Sequence, residues 1–123
     1  PLSTLVGLLE SRIDNLVFRL GFAPSIAAAR QLVRHGKVLV DGKRLDLGSA
    51  IVSPGSTIEL TEDAYRGVVY STSIRQPRLL LPDWLEHEKL GEFFRGRLKS
   101  LPPADSVPFD FSGRWVIELY SGV

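Results

Sequence analysis

The chain has 123 residues, 44% of them hydrophobic, so it holds enough apolar material for one compact core, and disorder is not its default state. It has no cysteine, which excludes disulfides and thiolate metal sites, and no uninterrupted apolar run near the roughly 18 residues a membrane helix needs. The formal net charge of +1 hides an uneven distribution, with 7 Lys/Arg against 4 Asp/Glu in residues 1–50 and 6 against 4 in residues 75–99, separated by acidic stretches. Folding can gather those two basic segments on one face, although an ordinary mixed surface has the same composition.

Leu8, Leu9, Ile13, Leu16, Val17 and Leu20 recur at helical spacing and predict a first helix with one apolar stripe. Gly21 closes it. Arg12 and Arg19 are seven apart, so on such a helix they share a side. Pro24 blocks continuation, Ser25 can cap a second helix, and Ala27 to Ala29 propagate it to a stop at Gly36. A connection this short predicts two packed neighbours. The period then changes to that of strands. Lys37–Val40 and Lys43–Leu45 flank an Asp41-Gly42 turn, and Thr57–Leu60 follows a Ser53-Pro54-Gly55-Ser56 turn.

The second half is less regular. Val68-Val69-Tyr70 reads as a strand, and Pro77 and Pro82 argue against helix over 75–83. Trp84, Phe93, Phe94 and Trp115 read as core or protein-contact residues rather than base-stacking ones. Pro102, Pro103 and Pro108 predict an extended stretch, and Trp115–Tyr120 predicts a final strand pairing with 97–101 or 68–71. The fold class is α+β, in three parts: a lead-in over 1–7, a helix-pair-and-sheet module over 8–62, and an extension over 63–123 packing on it.

The candidate interface is the polar set running from the second helix into the hairpin: Arg30, Gln31, Arg34, His35, Lys37, Lys43 and Arg44, with Arg12 and Arg19 from the first helix. If the helix end lies beside the hairpin tip, these groups form one basic patch. Arginine presents a planar fork of donors and lysine a point charge, and both suit phosphate. Folded RNA is read by shape, phosphate and 2′-hydroxyl contacts, so no aromatic platform is needed. The same charges also suit a solvated hairpin, and His35 also suits the C-terminal dipole of a helix. No P-loop, dinucleotide fingerprint or joined acid–base pair is present, and the two histidines make a poor metal set. A binding protein without cofactor, metal, membrane span or homo-oligomer is expected, not an enzyme.

The segments Glu10–Ala23, Ala29–Gly36, Val40–Lys43 and Val52–Gly55 resemble the RNA-binding module of the small-subunit ribosomal protein S-four family. Pro82–Glu86, Gly96 with Leu101-Pro102, Val107-Pro108 and Val116–Ser121 resemble that family's closing region. The resemblance implies a primary binder of small-subunit rRNA where several rRNA helices meet. It also implies neighbouring small-subunit proteins as partners, and roles in early assembly and at the side where messenger enters. A non-ribosomal RNA-binding or ribosome quality-control factor is the alternative. The family's N-terminal portion is missing, Asp41 stands where the family tends to have Asn, and Pro24 and Ile26 replace more polar residues. These departures, with the low net charge, imply a reduced organellar member. A mitochondrial ribosome is therefore the expected setting, with a plastid or cytoplasmic one as alternatives.

Overall fold

The computed structural model describes residues 11–76 and 81–100. Two helices come first, α1 (Ile13–Arg19) and α2 (Ile26–Arg34). Strands β1 (Val38–Val40), β2 (Lys43–Arg44) and β3 (Thr57–Leu60) follow, then a short helix α3 (Glu62–Tyr65) and α4 (Val68–Arg75). A hairpin, β4 (Leu85–Leu90) and β5 (Phe93–Leu98), completes the described chain. One antiparallel sheet takes the order β2-β1-β3-β5-β4. The α+β expectation for two packed helices and a small sheet holds.

The local chemistry explains most of these elements. The Ser25 hydroxyl accepts from the backbone N–H of Ala28 at 3.0 Å, the expected cap of α2. Gly36 ends that helix at φ 73°, and the Lys37 N–H bonds back to the Leu32 carbonyl at 3.0 Å. Asp41 and Gly42 take φ 51° and 82°, the two consecutive positive values that a tight hairpin needs to match strand twist.

The core forms where the helix stripe meets the inward residues of the sheet. Ile13, Leu16, Val17 and Leu20 of α1 are buried, as are Ala29 and Val33 of α2. They face Val38, Val40, Ile58, Leu60 and Leu98. Phe22 lies fully buried beside Tyr65, Tyr70 and His87, with ring centroids 5.7–6.5 Å away.

Other expectations are corrected, placed or bounded by the structure. Val68–Tyr70 is the first turn of a helix, not a strand. β-branched residues disfavour helix only weakly, and burial of Tyr70 and Ser73, three apart, outweighs that preference. Among the described residues the first helix starts at Ile13, with Leu8 and Leu9 outside them, and Arg12 is extended and bridges Ile51, so Arg12 and Arg19 do not lie along one helix. Trp84 is only 5% exposed and belongs to the core, the first of the two roles expected for it. Phe93 and Phe94 also pack against the core, half-buried, and Phe93 stacks on Tyr65 at 4.8 Å. The segment beyond 62 supplies two strands to the same sheet, since β5 pairs directly with β3. Arg97 consequently has strand neighbours on both sides, Thr57 and Glu86, and 68–71 is helical. The lead-in 1–7, the proline stretch, Trp115 and the Trp115–Tyr120 strand lie outside the described residues.

Candidate nucleic-acid interface

The helix end and the hairpin tip do lie together. A Cβ built on Gly36 would fall 3.9 Å from both Cδ and Nη1 of Arg44, so the Arg44 side chain runs alongside the C-terminus of α2. Arg44 sits on β2, opposite Leu39 of β1, at an edge of the sheet. Lys43 precedes it opposite Val40, and both are exposed. Arg34 in the last turn of α2 and His35 at its C-cap are exposed too, as is Gln31 one turn earlier.

A groove of about 340 Å³ continues this surface. Arg12, Arg30 and Arg34 line one part of it, and the loop from Asp46 to Ser49 lines another. Asp14 lies at its base. Its side chain is 2% exposed, a position costly for a charge unless it is paired. Pairing is extensive. Nε and Nη2 of Arg12 donate to Oδ1 and Oδ2 at 3.2 and 2.9 Å. Nε of Arg30 donates to Oδ2 at 2.9 Å, and the backbone N–H of Asn15 donates to Oδ1 at 2.7 Å. The loop is tied to the same helix start, because the N–H groups of Ile13 and Asp14 donate to the carbonyls of Ala50 and Gly48 at 2.9 and 3.2 Å.

Not every expected residue joins this surface. The Lys37 ammonium pairs with Asp63 at the start of α3, and with the Thr61 hydroxyl it holds the Asp63 carboxyl down at about 2. Arg19 is half-buried in the last turn of α1, outside the lining of the groove. The 46–49 loop is the participant that sequence reasoning missed; a pairing of Arg12 with Asp14 was open to it, but not the burial of Asp14 or its reach to Arg30. Asp14 stands at the margin of the apolar stripe in the first turn of a helix, where a carboxylate also reads as a complement to the helix dipole. The loop carries no local signal of its place.

A second charged cluster lies on the sheet. Glu88 of β4 accepts from Nε of Arg97 at 2.8 Å and Nη2 of Arg95 at 3.1 Å. Those two guanidiniums, Arg97 first, hold the Glu88 carboxyl below its usual range. Here the cations are matched by carboxylates, whereas the helix–hairpin face carries an excess of arginine and lysine. Among the described residues, no group of three or more His, Asp or Glu side chains could hold a metal ion. No helix among them is long and apolar enough to cross a membrane.

The elements and their chemistry define a small α+β module that exposes guanidinium and ammonium groups at a helix end and on a hairpin. Residues 11–58 match the family model described as the S4 domain, so the chain carries an S4 domain. Similarity to curated proteins runs further. The chain is 50% identical over 117 residues to the small ribosomal subunit protein uS4B of Bdellovibrio bacteriovorus, a match that takes in 95% of this chain and 56% of that protein. It is 42% identical over 119 residues to uS4 of Persephonella marina (95% of this chain, 57% of that protein). It is 42% identical over 120 residues to uS4 of Desulfosudis oleivorans (97% and 57%). The chain thus spans little more than half the length of these relatives.

Proposed function

We propose that this chain binds folded small-subunit rRNA through the α2–hairpin face and is a structural constituent of a bacterial-type small ribosomal subunit. The observation that carries the reading is the approach of the Arg44 side chain to the Gly36 turn, which sets it beside the exposed Arg34 and His35 at the helix end, with exposed Lys43 next to it on the hairpin. The groove beside it adds Arg12 and Arg30. Gln31 supplies a hydrogen-bonding side chain on the same helix, and Lys37 and Arg19 are outlying cations of the interface. The names of the relatives support the ribosomal setting. Residues 8–62 are the RNA-binding module on this reading. The 85–98 hairpin completes the sheet, and the extension from 63 faces neighbouring subunit proteins, with Phe93, Phe94 and Trp115 as its contacts on this reading. The role is binding and assembly, without catalysis or cofactor.

Binding of the chain to a small-subunit rRNA fragment, measured across salt concentration, tests this directly. Each phosphate contact releases counterions, so affinity falls as salt rises. Replacing Arg34, Lys43 and Arg44 with alanine is expected to weaken binding and flatten that dependence. A folded triple variant that binds like the parent overturns the reading. Sedimentation with small subunits after a high-salt wash tests the ribosomal assignment, and recovery only in a free or tRNA-bound pool favours the quality-control alternative. The mitochondrial setting is the finer reading. It rests on the departures at Pro24, Ile26 and Asp41, and fractionation of cells against a bacterial cytoplasmic ribosome pool decides it.

A further inference from the structure

A carboxylate beneath a cationic surface subtracts charge from it. Asp14 nevertheless sits at the base of the arginine groove, nearly sealed from solvent. It is there with four hydrogen bonds, three of them from two guanidiniums that come from different elements. Arg12 lies just before α1 and Arg30 lies on α2, sixteen residues from Asp14. One buried group therefore sets the orientation of both.

The geometry of those bonds matters. Asp14 takes the Nε–Nη2 edge of Arg12 and only Nε of Arg30. These contacts leave Nη1 of Arg12 and both Nη atoms of Arg30 for other acceptors. A guanidinium is planar, so holding one edge fixes the direction of the opposite one. The Arg30 side chain is 54% exposed, and left alone it would sample many rotamers. Resting rotamer freedom must be lost when a phosphate binds. A side chain held in place beforehand loses less.

We infer that Asp14 is a positioning residue for RNA binding: it holds Arg12 and Arg30 by their Nε edges and aims the remaining donors into the groove for one stretch of sugar–phosphate backbone. The inference rests on the RNA-binding reading and deepens it. It makes a prediction opposite in sign to simple electrostatics. Asp14→Asn raises the formal net charge of +1 by one, so charge alone strengthens binding. Loss of positioning weakens it.

The test is salt-dependent binding of the full chain to a folded small-subunit rRNA fragment. Asp14→Asn, Arg30→Lys, the double variant and Asp46→Asn are compared with the parent, with thermal unfolding checked for each. Asp14→Asn is expected to bind roughly fivefold to thirtyfold more weakly, as loss of charge-assisted contacts would give. Its salt dependence should be shallower by the equivalent of roughly one or two phosphates. Arg30→Lys keeps the charge but not the fork, and should also weaken binding. The double variant should lose less than the product of the two single losses, because both remove one shared contact. Asp46→Asn lines the same groove without gripping the arginines through the bonds described, and should bind more tightly. A folded Asp14→Asn protein that binds as tightly as the parent, or more so, overturns the inference. If that variant unfolds, Arg30→Lys decides, and parental affinity for it overturns the inference. Failure of the parent to bind RNA in a salt-dependent way overturns the RNA reading itself, whereas normal parental binding with an indifferent Asp14 overturns the positioning role alone.

Discussion

The side chain of Leu20 rests directly on Gly96. A Cβ at position 96 would come within 2.3 Å of Leu20 Cδ1 and 2.7 Å of Cδ2, closer than any real contact. Gly96 pairs with His87, whose Nε2 lies 2.7 Å from the Leu20 carbonyl, so the end of α1 is held on the β4–β5 hairpin by both packing and a polar contact. Leu20 is 1% exposed and has little room to move aside. Gly96→Ala is therefore expected to destabilise the protein by about 1–3 kcal/mol, as overpacking of a tight core does. Urea unfolding checks it, and a midpoint equal to the parent's would show that the helix and hairpin give way freely.

Asp41 shows how a residue at the exposed hairpin turn serves the fold. Its Oδ1 accepts from the backbone N–H of Thr57 at 2.9 Å, while its own N–H donates to the Thr57 carbonyl at 3.0 Å. The carboxylate thus pins the hairpin tip to β3, and its charge next to Lys43 is a by-product. Asparagine keeps an acceptor oxygen and tolerates the positive φ of 51° at this position. Asp41→Asn is expected to change stability by less than about 0.5 kcal/mol. RNA affinity at low salt should rise roughly twofold to fivefold, with the gain shrinking as salt is added. Filter binding at two salt concentrations would expose a failure.

The Lys37–Asp63 pair has a defined pH signature. The Lys37 ammonium, and after it the Thr61 hydroxyl, depress the Asp63 carboxyl from 3.8 to about 2. A depressed acid contributes stability that is present above pH 3.8 and lost as pH falls through about 2. Lys37→Met should return the Asp63 titration toward 3.8, read by carboxyl NMR. Both groups are exposed, so melting near neutral pH should barely change.

Tyr65 behaves oppositely. Burial pushes its phenol from 10 up to about 12, and the hydroxyl donates to the Phe94 carbonyl at 2.7 Å. The neutral form is favoured in the folded chain, so this contribution is present below pH 10 and lost as pH rises through about 12. Tyr65→Phe keeps the stack on Phe93 but removes the hydrogen bond, for an expected cost of about 1 kcal/mol. Ultraviolet titration should show the highest phenol transition missing in that variant. Its persistence would assign the transition to another tyrosine.

The N-terminal half was legible because its signals are local. The stripe from Ile13 to Leu20, the Ser25 cap, the Gly36 stop and the Asp41-Gly42 turn each follow from the covalent chemistry of a few neighbouring residues, and each appears in the structure. Resemblance carried the functional expectation further than periodicity alone. Beyond Leu60 the local signals fail. Val68-Val69 favours a strand by propensity, yet Tyr70 and Ser73 are buried from a helix, where Ser73 Oγ donates to the Gly21 carbonyl at 2.8 Å across 52 residues. Glu86, His87, Glu88 and Lys89 give little apolar alternation, and they become a strand because β5 pairs with every residue from Leu85 to Leu90.

By itself, then, the sequence determined the paired helices, the tight hairpin and the basic residues that flank it, since helix caps, turn conformations and apolar spacing depend on short stretches of chain. Only the tertiary structure decided that Arg44 lies against the Gly36 turn, that Lys37 is drawn to Asp63 instead, and that a buried Asp14 grips Arg12 and Arg30. Those partners come from separate elements, and which cation meets which carboxylate depends on how the packed core brings the elements together.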